Sequence, residues 1–324
     1  MSVLTYSKAI HRAMHEEMVR DQKVILLGED IAVMEGVWGC SKGFLQEFGP
    51  WRVLDTPICE NGFVGMSVGA AMRGLRPIVE LMYSDFAPMA FDSIANQAAK
   101  MHYMTGGQIK IPLVLRAPNG VGRRNAGQHS GNLEALLTHI PGLKVICPST
   151  PYDVMGMLKT AIRDEDPVMC IENKLLYSIK GEVPNEEYLI PLGQADIKRP
   201  GKDLTIISWS REVHYCLQAA ADLAQKGIDA EVLDLRSLVP LDWEAIARSV
   251  SKTHHVLIVH EAVKRGGFGG EIAAQIGEEL FDELDAPVKR VAGANVVIPF
   301  SPALEDLIYP QMADIVQGAL EVLA

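Results

Sequence analysis

The chain has 324 residues, 48% hydrophobic and 22% charged, which is ample for a buried core and suggests about two domains. Its 30 Lys and Arg against 41 Asp and Glu give a net charge of −11 without any basic block, which argues against nucleic acid or an anionic membrane as the main partner. The five cysteines (40, 59, 147, 170, 216) form no Cys-x-x-Cys pair and read as reduced thiols in a cytoplasmic setting, several of them within apolar strands; the first residues read as neither signal nor transit peptide, and no apolar run is long enough to span a membrane.

Thr5 can cap a first helix whose apolar side includes Ile10, Ala13, Met14 and Met18, close to the helical period. Val24-Ile25-Leu26-Leu27 is a continuous apolar run of the buried parallel-strand kind, and it ends in Gly28-Glu29-Asp30. Carboxylates there stand where α/β folds place their sites, as do many merely solvated loop acids. Residues 34–50, with Gly36, Gly39, Gly43 and Gly49, read as a long loop. Trp51-Arg52-Val53-Leu54 favours a strand and meets a turn built on Pro57. A helix rich in small residues follows, with Gly62, Gly65, Gly69 and Ala70 along it. Glu60 sits near its N-terminus, where the helix dipole favours the ionised carboxyl and an apolar wall would favour the protonated one. An acid in a first turn is ordinary by itself, and the small residues could serve only to let a second helix come close.

Residues 77–81 form the next strand, and Pro88 then starts a helix with Phe91, Ile94, Ala95 and Ala98 on one side. A strand over 111–115 leads into a loop over 118–131, followed by a short helix, a strand over 145–147, and a helix opened by Thr150-Pro151 with Asp153 in its first turn. That helix buries Val154, Met157, Leu158 and Ala161, and residues 167–171 are one more strand. Strands alternating with helices predict an α/β fold with a parallel sheet covered on both faces. Residues 177–201, polar and carrying Pro184, Pro191 and Pro200, read as a linker. A second alternation follows: strands at 204–208, 230–235, 256–259 and 288–291, with helices at 213–226, 242–251, 271–284 and 312–323. The domains expected are residues 1–185, a linker over 186–201, and a second, smaller α/β domain over 202–324.

Arg265-Gly266-Gly267-Phe268-Gly269-Gly270 lies between a strand and a helix, as a phosphate-binding loop would, yet fits neither phosphate-loop pattern and reads as a tight turn. No His-Glu-x-x-His occurs, so zinc protease chemistry has no support. His102, His139 and His214 fall in helical runs, and the pair His254-His255 has no ligand partners at metal spacing. The loop over 119–131 stands apart. Its glycines let backbone approach a ligand, while Arg123, Arg124 and His129 offer donors that suit carbonyl or carboxylate groups.

Leu27-Gly28-Glu29-Asp30, Leu54-Asp55-Thr56-Pro57-Ile58-Cys59-Glu60, Glu80-Leu81-Met82, Ala99-Lys100, Gln128-His129-Ser130 and His139-Ile140-Pro141-Gly142-Leu143-Lys144-Val145 recur in order, with Ala161-Ile162-Arg163-Asp164, Asp234-Leu235-Arg236 and Pro299-Phe300-Ser301-Pro302 after them. Together they resemble, over nearly the whole chain, the β subunit of the thiamine diphosphate-dependent decarboxylating component of a 2-oxo acid dehydrogenase complex, of the pyruvate, acetoin or branched-chain type. The resemblance implies a pyrimidine-type thiamine diphosphate-binding domain followed by a transketolase C-terminal-like domain.

It also implies roles. Glu60 matches the carboxyl that hydrogen-bonds N1′ of the aminopyrimidine and so promotes loss of the cofactor's C2 proton. Ile58, Met82 and Phe86 match positions packing around that ring, although plain core packing would use the same residue types. His129 matches the histidine that binds the 2-oxo acid or assists acyl transfer to a lipoyl group, and Glu29 an acidic position in a water-filled tunnel joining two active sites. Leu113, Ala161, Asp164 and Asp166 match positions around a structural K⁺, bound mostly by backbone carbonyls. The family's Gly-Asp-Gly motif for Mg²⁺ and diphosphate is missing, so an α subunit must hold those groups and share the cofactor. The implied assembly is two α and two β subunits working with a dihydrolipoyl acyltransferase core and its lipoyl domain. Glu80-Leu81-Met82 leans toward pyruvate or acetoin over branched substrates. A transketolase-like transferase, which usually carries the diphosphate region in the same chain, and a non-catalytic assembly subunit are the rival readings.

Overall fold

The computed structural model describes residues 1–324, in two compact units: residues 1–119 with 136–192, and residues 120–135 with 193–324. The first unit opens with β1 (Ser2–Thr5), α1 (Tyr6–Arg20), β2 (Val24–Gly28), α2 (Phe44–Phe48) and β3 (Val53–Asp55). Then come α3 (Glu60–Met72), β4 (Arg76–Glu80), α4 (Ala99–Met104) and β5 (Val114–Asn119); α5 (Glu134–Thr138) precedes β6 (Lys144–Ile146), α6 (Pro151–Arg163), β7 (Val168–Asn173) and β8 (Lys180–Val183). Six of its strands form a sheet in the order β6-β7-β5-β4-β2-β3, every neighbouring pair parallel. All side chains of β5 and β7 are buried, as befits strands covered on both faces, even though each strand carries charged or polar residues beside its apolar ones. Thr5 caps α1 by accepting from the Lys8 N–H, and Thr150 caps α6 by accepting from the Asp153 N–H. The two helices pack together over a core that includes Ile10, Met14, Met18, Val154 and Leu158.

The second unit contains β9 (Asp196–Arg199), β10 (Leu204–Ser208), α7 (Glu212–Gln225), β11 (Ala230–Asp234), β12 (Ser237–Val239) and α8 (Trp243–Thr253). It ends with β13 (Val256–Val263), α9 (Gly269–Glu279), β14 (Lys289–Gly293), α10 (Pro302–Glu305) and α11 (Met312–Val322). Its sheet runs β14-β13-β10-β11-β9; the first four strands are parallel and β9 pairs antiparallel with β11. Helices α7 and α11 pack over a separate core of Leu204, Ile206, Val232, Leu257 and Ile315.

Several local expectations change. The loop over 34–50 contains α2. The helix expected to start at Pro88 begins earlier and is irregular: a 3-10 stretch Ser84–Ala90 with Pro88 inside it, a wide π turn Ser93–Ala98, then α4. Proline cannot donate to an α ladder, so the chain tightens around it and regular helix begins only afterwards. β5 starts at Val114 and runs on through Pro118-Asn119, shortening the loop that follows. The stretch read as a linker holds two edge strands, β8 against β1 and β9 against β11. Of the cysteines only Cys170 lies within a strand; Cys216 is on α7.

Candidate active site

The carboxyl ends of β2, β3 and β4 form one rim of the first unit's sheet, the edge where parallel sheets expose their sites. A close approach builds it: a Cβ at Gly28 would lie 2.6 Å from the Glu80 carbonyl oxygen, so only glycine lets β2 meet β4 here. Beyond β2, the Asp55 carboxylate accepts from the Ala32 and Val33 N–H groups at 2.7 and 3.0 Å, fastening the start of the following loop to the end of β3. Thr56 N–H donates to the Gly28 carbonyl at 2.9 Å. The rim is thus held by backbone and by one carboxylate before any catalytic group is considered.

Two acids stand on it. Glu60 is the first residue of α3 and only 8% exposed; Glu29 follows β2, is 6% exposed, and buries its Oε1 without a hydrogen-bond partner. Burial pushes the Glu29 carboxyl above its usual range, and the nearby charges of Glu60 and Asp30 push it the same way. Helix α3 packs against the 3-10 stretch that carries Phe86, and both Met82 and Phe86 are half-buried. Phe86 meets Tyr83 edge to face at 5.7 Å, and Tyr83 meets Trp38 at 6.0 Å, giving a row of rings with flat faces to offer a heterocycle. Ile58 is 84% exposed, so it has no packing partner within the chain to account for it. Gly65 faces the Ser93 hydroxyl, which donates to the Asn61 side chain at 2.8 Å; Gly69 has open space around it. The small residues of α3 therefore admit a close neighbour at one position and leave the other uncovered.

His129 belongs to the second unit, on the loop between β5 and α5. The four residues assigned to K⁺ come together at the opposite, amino-terminal edge of the first sheet. The Leu113 carbonyl accepts from the Val168 N–H at 2.9 Å, and the Ala161 carbonyl from the Asp164 N–H at 3.2 Å. The Asp164 carboxylate lies 2.8 Å from the Lys144 ammonium, and that of Asp166 lies 3.2 Å from it. Both carboxylates are thus turned to a resident ammonium, and no cluster of three or more His, Cys, Asp or Glu side chains could hold a metal ion. Only backbone carbonyls remain for K⁺ there.

Sequence reading missed two features. Arg116 on β5 is fully buried, paired through two nitrogens with Glu172 at 2.8 Å and with Glu80 at 2.5 Å, tying β4, β5 and β7 together. An arginine next to an apolar run gives no cue that it faces inward. The other is the Gly-rich stretch after β13: a Cβ at Gly267 or Gly269 would lie 2.7 or 2.6 Å from the His260 ring. Those glycines exist to pack a histidine, and the tight-turn reading is the better one.

Residues 2–180 match the transketolase pyrimidine binding domain, and residues 193–315 the transketolase C-terminal domain. The chain is 47% identical to the acetoin:2,6-dichlorophenolindophenol oxidoreductase subunit beta of Bacillus subtilis (99% of this chain, 97% of that one). It is also 47% identical to the pyruvate dehydrogenase E1 component subunit beta of Rickettsia felis (98% of each). A solved split-gene transketolase, described as an inactive beta4 tetramer, superposes with a TM-score of 0.82 at 24% identity, covering 99% of this chain and 98% of that one, which shows the shared fold. The chain belongs to the transketolase-like family of pyruvate and acetoin dehydrogenase β subunits, a pyrimidine-binding domain followed by a transketolase C-terminal domain.

Proposed function

We propose that this chain is the β half of a thiamine diphosphate-dependent dehydrogenase of pyruvate or acetoin, active with an α subunit and passing its acyl product to a lipoyl group. The observation that carries the reading is Glu60, a buried carboxyl at the start of α3 on the carboxyl rim of a parallel sheet, with α3 packed against the 3-10 stretch that carries Phe86. Bound thiamine diphosphate supplies a carbon nucleophile, generated by loss of its C2 proton, and an electron sink for cleavage of the substrate. Glu60 holds the proton at N1′ of the pyrimidine from a position that is only 8% exposed in the chain. Met82, Phe86 and Ile58 hold the ring, and Glu29, with its unpartnered oxygen, continues the polar path away from Glu60.

His129 handles the substrate carbonyl or the arriving lipoyl group. Mg²⁺ and the diphosphate fall to the α subunit, since this chain carries no Gly-Asp-Gly and no carboxylate cluster for a divalent ion. Ile58, Met66 and Met89 are all exposed on α3 and the segments next to it, as an apolar subunit contact would leave them in a single chain. The same reasoning supports an assembly of two α and two β subunits on an acyltransferase core. K⁺, if carried, sits on the carbonyls of Leu113, Ala161, Asp164 and Asp166.

The test is Glu60→Gln in the α–β enzyme. Exchange of the cofactor's C2 proton, followed by NMR in D₂O, should slow by about 10²- to 10⁴-fold while cofactor binding persists. Exchange at the wild-type rate would remove Glu60 from this role.

A further inference from the structure

We propose that Glu261 and Glu305 are positioning residues that fix the loop carrying His129 in its working shape; this rests on the reading of His129 given above. The loop runs from Gly120 to Gly131, between β5 and α5. Its internal backbone bonds are long, Gly120 N–H to the Gly131 carbonyl at 3.5 Å and His129 N–H to the Ala126 carbonyl at 3.4 Å. Two non-glycine residues, Arg124 and Ala126, sit at φ near +60°, a conformation that L side chains adopt only when their surroundings impose it.

The surroundings are two carboxylates from distant parts of the same unit. Glu261, at the carboxyl end of β13, accepts from the Val121 N–H at 2.6 Å and from the Asn132 side-chain amide at 3.0 Å, so a single carboxylate oxygen pins both ends of the loop. Glu305, fully buried at the end of α10, accepts from the Gly122 N–H at 2.9 Å and from Arg124 at 2.6 Å; Asp306 takes the same guanidinium at 2.8 Å. Charge-assisted bonds of this kind are shorter and stronger than neutral ones. Glu261 is itself held by Arg211 at 3.0 Å, and that guanidinium lies over the Tyr309 ring at 4.5 Å. At the far side, a Cβ on Gly127 would lie 2.9 Å from Val297, so the loop is also pressed against the segment before α10. Residues 121–124 and 132 are thereby fixed, and His129 is carried on the short span between them.

Misplacing a group by about 1 Å can cost 10²-fold in rate, so loosening these anchors should act through His129. The experiment uses the assembled α–β enzyme with pyruvate or acetoin, whichever it turns over, and a free lipoyl domain. In Glu261→Ala and Glu305→Ala, hydrogen exchange over residues 120–132 should speed up at least about 10-fold, and kcat for lipoyl acylation should fall about 10- to 100-fold, with C2 proton exchange retained. Glu305→Gln, which keeps an acceptor for the Gly122 N–H, should recover part of both. Combined with His129→Ala, either alanine variant should add little further loss, because both act through the same group.

Unchanged loop exchange, unchanged acylation, or full additivity with His129→Ala would each overturn the proposal. Acylation unimpaired in His129→Ala alone would instead refute the functional reading of that histidine.

Discussion

His260 lies fully buried on β13, its ring stacked on Trp209 with centroids 5.2 Å apart. Burial holds its pKa down to about 4, and the cations Arg290 and Lys264 act in the same direction. The folded state thus resists a proton that the unfolded chain accepts near pH 6.5, so this contribution to stability is complete above that pH and is lost as pH falls toward 4. Over that interval the wild type should lose roughly 3 kcal/mol that a His260→Gln variant does not, measured as the difference between their urea unfolding free energies. Glu212 has the opposite sign: burial pushes it up to about 7, so its contribution is present below the unfolded value and fades as pH rises through 7. Comparing variant with wild type at each pH separates the two. Legibility at this scale followed sequence distance. The places of Glu29 and Glu60 in the fold could be read because each stands at a local strand end or helix start. Glu305 could not, since the Gly122 N–H it serves is 183 residues away and nothing near Glu305 hints at it.

At the scale of elements, burial decided what could be read. The apolar stretches within β2, β5, β7, β10 and β13 announce these strands because both faces are covered. β8 (Lys-Gly-Glu-Val) and β9 (Asp-Ile-Lys-Arg) are short and polar, typical of sheet edges, and carry no such signal. The helix after Ser84 was misplaced because apolar spacing cannot reveal 3-10 and π turns, whose hydrogen bonding differs while their residue types do not. Glycines offer a direct comparison between packing and propensity. Gly28→Ala puts a methyl group 2.6 Å from a backbone oxygen that cannot yield, and should cost about 1–3 kcal/mol or more. Gly69→Ala meets nothing on an exposed helical face, and should stabilise the isolated chain by about 0.5–1 kcal/mol. Thermal unfolding of the two variants, expected to shift in opposite directions, checks both. A destabilised Gly69→Ala would mean that α3 is covered there.

For the whole molecule, the division of labour between chains is the point to measure. Calorimetric titration of thiamine diphosphate with Mg²⁺ should give no binding to this chain alone and clear binding once the candidate α subunit is added. Tight binding to the single chain would mean that a diphosphate site exists without Gly-Asp-Gly, and would favour a transketolase-like transferase. The order of the two α/β halves was legible because each repeats the strand–helix alternation on its own side of a polar, proline-bearing stretch. What alternation could not show is that residues 120–135, which lie between two strands of the first sheet, pack as part of the second unit. The two units are therefore interleaved along the chain rather than consecutive. Anyone building a chimera by exchanging everything after residue 193 would pair one parent's histidine loop with the other parent's anchoring carboxylates. A working crossover has to move 120–135 and 193–324 together, and drift in either piece is tolerated only when the other drifts to match.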